Sequence, residues 1–178
     1  MFSKIVVALD SAQATQWIFE QALAIANTVP SQLALVQVLS PEDIEGYAAS
    51  LYTEGYSLPT SLECMELYLR HWQELQQRQR QDLEDYARAA VAIGIPAQIV
   101  QPQGSPGKCI CEFARSWQAD LIVMGRRGLS GLSELFLGSV SNYVLHYAPC
   151  AVLILHRDSG ASPQIPKADH VVTEQAQF

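Results

Sequence analysis

Nowhere in the 178 residues do eighteen apolar residues run together, so no stretch can cross a membrane as a helix. Positive charge is also scarce. Eleven Lys and Arg stand against 18 Asp and Glu, for a formal net charge of -7 and a pI near 5.0. Binding to nucleic-acid phosphates draws on a surplus of Lys and Arg, so nucleic acid is disfavoured as a general partner. Cysteine and histidine form no ligand framework. Cys109 and Cys111 are two apart on an expected helix and point to different sides, while Cys64 and Cys150 stand alone. His71, His146, His156 and His170 are scattered, so free thiols are expected rather than metal ligands or a redox pair. The opening Met1-Phe2-Ser3-Lys4 has neither the charged nor the apolar region of a signal peptide, and the expected location is cytoplasmic.

What is present is ordinary globular material: 49% apolar residues in a length that suits one domain with a sizeable core. Five short apolar runs read as strands: Lys4 to Asp10, Gln32 to Leu39, Ala97 to Gln101, Leu121 to Met124 and Ala151 to Leu155. The first and fourth lack polar alternation, which marks strands buried on both faces of a parallel sheet. Helical periodicity fills the intervals. Trp17, Ile18, Ala22 and Ile25 carry the first helix, over 14–27, with Asp10 or Ser11 able to cap it. Asp10 reads equally well as a carboxylate in a ligand crevice. A long helix is expected over 63–93, with Leu83, Tyr86, Ala87 and Ala90 as its packed face and the apolar-free 76–82 as a solvated or overhanging one. Gly94 stops it.

Ser105 as N-cap with Pro106 behind it opens a third helix, carried by Ile110, Phe113, Ala114 and Trp117. Its glycines, Gly104 and Gly107, are two residues apart and no Ser or Thr follows Lys108, so this is not a Walker A loop. A fourth helix is expected from Gly138 to about Ala148, with Val140, Val144 and Leu145 inward. The stretch 40–62 has no period and reads either as a lid or as a disordered insertion, and the segment 157–178 as a mobile tail. Strands alternating with helices mean an α/β fold: a parallel sheet with helices on both faces.

One stretch carries chemistry. From Asp120 the chain reads D-L-I-V-M-G-R-R-G-L-S-G-L-S-E-L-F-L-G-S-V-S: a buried strand, a glycine-containing loop and a helix start. That arrangement aims free N–H groups and the positive end of a helix dipole at one point, which makes an anion site. The spacing is Gly125, two residues, Gly128, nine residues, Gly138 and Ser139. In a chain of this composition about 0.003 chance matches to that pattern are expected. The pattern resembles the signature of the universal stress protein family, in its ATP-binding branch.

The resemblance covers 1–156, with 40–73 the least typical part. It implies a Rossmann-like five-stranded parallel sheet of order 3-2-1-4-5, with strands one and four side by side at the reversal where α/β ligands sit. It further implies that Leu9, Asp10 and Val38 line the adenine and ribose end, with the Val38 main chain on the base edge. Met124 and Gly125 would lie against the ribose. Arg127, Gly128, Gly138, Ser139, Val140 and Ser141 would hold the phosphates of ATP, with or without Mg. AMP and cyclic AMP are the alternatives. The sequence departs from the family after Asp10, where Ser11-Ala12 replaces a glycine-containing pair, and in the long insertion. Both departures bear on which nucleotide fits. Glu134 is the one acid in the loop 126–137, and no other group there is evidently placed to orient water, so any ATP hydrolysis is expected to be slow. The family's habit of pairing through its last strand implies a homodimer across 151–155.

Overall fold

Ile5 to Ala8 and Leu121 to Met124 are apolar at every position, and every one of these side chains is buried. The computed structural model describes residues 2–10, 15–40, 62–126 and 138–156. Along them run β1 (Lys4–Ala8), α1 (Thr15–Ala26), β2 (Gln32–Val36), α2 (Leu62–Ala92), β3 (Ala97–Val100), α3 (Pro106–Trp117), β4 (Leu121–Gly125), α4 (Ser139–Tyr147) and β5 (Ala151–Leu155). All strand pairs are parallel, in the order β3-β2-β1-β4-β5. The two unalternated runs lie side by side at the centre, Ile5 opposite Leu121 and Ala8 opposite Met124.

Strand alternation divides the core in two. Ile5, Val7, Leu33, Leu35 and Val123 pack under α1 and α2, which contribute Ile18, Phe19, Ala22, Leu83 and Ala90. Val6, Ala34, Val36, Ile122 and Met124 pack under α3 and α4, which contribute Ile110, Ala114 and Val144. Each face therefore carries two helices, as right-handed crossovers on either side of the β1–β4 reversal require.

Local expectations held with instructive exceptions. Gly94 stops α2 at φ +84°, its N–H bonded to Val91 O at 2.9 Å. α3 ends on Gln118 at φ 58°, a left-handed turn made without glycine and unmarked in the sequence. Ser105 does precede α3, but its hydroxyl makes no capping hydrogen bond. Leu145 is 45% exposed instead of inward, because α4 docks through Ser141 and Val144 and turns Leu145 to the rim. Of the insertion expected over 40–73, residues 62–73 belong to α2, while 41–61 and the tail from 157 lie outside the described residues. Cys111 is buried and Cys109 and Cys150 are half-buried free thiols. Burial pushes the Cys111 and Cys150 thiols above their ordinary range, which keeps them protonated and unreactive. The Cys64 side chain lies outside the description.

Candidate functional site

The C-terminal ends of β1, β2 and β4 converge with the start of α4 on a cavity of about 290 Å³. Leu9, Asp10, Val38, Met124, Gly125, Gly138, Ser139, Val140 and Ser141 all line it. Arg127 and Gly128, expected beside them, lie outside the described residues. Two stretches more than a hundred residues apart are thus brought together by the single β1–β4 pairing.

Each wall has a local cause. On the β1 side, Leu9 N–H still bonds Val36 O at 2.9 Å, so the strand's direction persists to the cavity rim and delivers Asp10 there. α1 begins at Thr15, and residues 11–14 between it and Asp10 lie outside the described residues, Ser11 among them. The tail of β2 is pinned by Gln37 N–H to Val100 O at 3.1 Å and by Leu39 N–H to Pro102 O at 2.9 Å. Val38 stands between these two bonds, and neither its N–H nor its C=O is bonded among the described residues. A planar group with adjacent donor and acceptor could take both. Gly125 lies close under α1: a Cβ there would sit 2.4 Å from Ile18 Cδ1, and the tip of that side chain would have to shift.

The opposite wall is the start of α4. The first intrahelical bond runs from Asn142 N–H to Gly138 O at 2.9 Å, which leaves the amides of Ser139, Val140 and Ser141 as the helix's unpaired donors. Gly138 is the N-cap and has no side chain to satisfy them. Ser141 is 2% exposed, with its hydroxyl 3.4 Å from Gly138 O. Three amides, a helix dipole and a buried hydroxyl suit an anion. Ala8, Ile18, Val38, Ile110, Met124 and Val140 supply an apolar surface next to it. The cavity can therefore take a flat apolar body joined to a multiply charged anion.

A profile of the Universal stress protein family matches residues 1–156. The chain belongs to the universal stress protein family. Its relative "Universal stress protein Sll1388" of Synechocystis is 34% identical over 154 residues, spanning 86% of this chain and 97% of the relative. Among solved structures, that of the hypothetical protein MJ0577 superposes with a TM-score of 0.70 at 19% identity, over 90% of this chain and 99% of that one. A universal stress protein family protein of Arabidopsis thaliana, solved with AMP bound, superposes at 0.55 with 22% identity, over 92% and 98% of the two chains. At these identities the structural likeness is one of fold.

Several lining residues of this universal stress protein were not legible beforehand: Ala8, Ile18, Gln37, Ser40, Gln79, Pro106 and Ile110. Gln37 stood inside the expected strand Gln32 to Leu39, where alternation could have marked it as facing the same side as Leu35. Gln79 had no signal, since it sits in the apolar-free part of α2 that reads as a solvated face.

Proposed function

We propose that this universal stress protein is a regulatory, stress-response factor that binds an adenine nucleotide, with ATP as the principal ligand, in the cavity between β1, β4 and α4. The observation that carries the reading is the uncapped start of α4: the free amides of Ser139, Val140 and Ser141 open onto the same cavity as Asp10 and Val38. In this arrangement the phosphates lie on those amides, with Arg127 and Gly128 as the further phosphate contacts that the family resemblance implies. The base stacks on the apolar wall with its edge on the Val38 main chain. Asp10, Met124 and Gly125 flank the ribose. AMP and cyclic AMP fit the same donors with fewer contacts, and a fold neighbour solved with AMP supports an adenylate ligand in general. Mg would be carried in by the triphosphate. Turnover, if any, is slow, since catalysis needs a positioned base or metal in addition to binding.

Mass spectrometry of nucleotide released from freshly purified protein tests the reading. ATP in near-stoichiometric amount is the expected result. Released material without any adenine nucleotide, together with no thermal shift on adding one, would contradict it.

The assembly proposed is a homodimer through β5, in a cytoplasmic protein. β5 is a terminal strand of the described sheet, carries no charged residue, and leaves Leu153 36% exposed.

A further inference from the structure

The longest helix outruns the sheet at the cavity end. α2 hands the chain to β3 through Gly94 and Ile95, and Ile95 N–H bonds Ala90 O at 3.0 Å, so Ala90 stands near the start of the strands. From Ala90 back to Gln79 the helix climbs about 17 Å at 1.5 Å per residue, about the length of a five-residue strand. Ala90 and Leu83 are buried against the sheet. Gln79, one turn before Leu83, keeps to the same face of the helix but has reached the strand tips. There it lines the nucleotide cavity with Leu9, Asp10 and Val38. Its neighbours Arg80 and Gln81 pair along the exposed helix surface instead, with Glu84 at 3.1 Å and Asp85 at 3.4 Å. Gln79 is half-buried, and no hydrogen bond engages its carboxamide among the described residues.

The chemistry of a carboxamide says what it can read. The Val38 main chain takes one polar edge of a base, and a purine has a second, made of N7 and the substituent on C6. In adenine that edge is an acceptor beside a donor, and in guanine it is two acceptors. A carboxamide carries a donor and an acceptor side by side in one plane, which matches adenine in both and guanine in only one. Lys and Arg favour the guanine edge, and neither lines the cavity among the described residues. We propose that Gln79 is a specificity-determining residue of this cavity: its amide NH2 donates to N7 of adenine, and its Oε1 accepts from the amino group on C6. The base is then read on both edges, one by the end of β2 and the other by α2. The inference rests on the nucleotide reading above and adds to it a residue from outside the glycine signature.

Calorimetry on the full-length protein with ATP and with 7-deaza-ATP, in which a C–H replaces N7, isolates the contact. The parent should bind 7-deaza-ATP about tenfold more weakly than ATP. Gln79→Leu should bind the two nucleotides equally, each about tenfold more weakly than the parent binds ATP. Losses that fail to add in this way mark one shared bond. A merely structural role for Gln79 would lower both affinities and leave the parent's ratio in place, which would overturn the proposal. So would a parent that binds ATP and 7-deaza-ATP equally, a result that needs no variant and stands even if Gln79→Leu fails to fold. In both of those cases ATP still binds and the nucleotide reading survives. Should neither nucleotide bind the parent, that reading falls and this inference falls with it.

Discussion

Thr15 donates its hydroxyl to the main-chain carbonyl of Asp10 at 2.5 Å, and the same oxygen lies 3.2 Å from Asp10 Oδ1. The first residue of α1 thereby fastens the chain just beyond the end of β1. Thr15→Val keeps the shape and removes the bond. Stability should fall by about 1 kcal/mol in urea denaturation. Nucleotide affinity should fall several-fold, because Asp10 loses its fixed position. Unchanged affinity would mean that Asp10 is held by other contacts.

Gly107 tests how closely α3 and α4 must approach. A Cβ there would sit 2.8 to 2.9 Å from Cδ1, Cβ and Cγ of Tyr143, atoms too near the backbone to swing aside. Gly107→Ala should cost about 1–3 kcal/mol, as overpacking does. It should also weaken nucleotide binding by displacing the start of α4. A variant as stable as the parent would show that the two helices part freely.

Asp120, at the opposite end of the sheet, accepts hydrogen bonds from Ser3 N–H at 2.9 Å, Ser3 Oγ–H at 2.7 Å and Lys4 N–H at 2.9 Å. These bonds hold its carboxyl below the usual carboxylate range. A group depressed in the folded state stabilises fully above its unfolded value, about 3.9, and the contribution is lost as pH falls through the lower folded value. Asp120→Asn should therefore be less stable than the parent at pH 7 and closer to it at pH 3. Equal destabilisation at both pH values would assign the effect to shape alone.

Leu153→Glu places a charge on the exposed side of β5. Light scattering at micromolar concentration should show a dimer for the parent and a monomer for the variant, with nucleotide affinity preserved. A monomeric parent would refute the dimer.

How much was legible follows from where the information sits. Ile5 to Ala8 and Leu121 to Met124 declare themselves because burial on both faces demands apolar residues at every position, and the glycine spacing from Gly125 to Gly138 marks the helix start they feed. Strand order was not carried by any residue pattern and came only through the family resemblance. Gln37 and Gln79 were missed as cavity-lining residues because α2 and the end of β2 come together there without a shared local pattern. Leu145 shows the converse: a helix's apolar residues state which faces can be buried, and docking selects among them.

Gly138→Asp is the most direct test of the phosphate site. Gly138 has φ -58° and ψ 155°, a conformation that suits aspartate, and an Asp at an N-cap accepts hydrogen bonds from the very amides proposed to hold phosphate. The account predicts a variant at least as stable as the parent whose ATP affinity, by isothermal titration calorimetry, is weaker by about a hundredfold or more, since like charges set side by side cost several kcal/mol. A stable variant that binds ATP as tightly as the parent would contradict it.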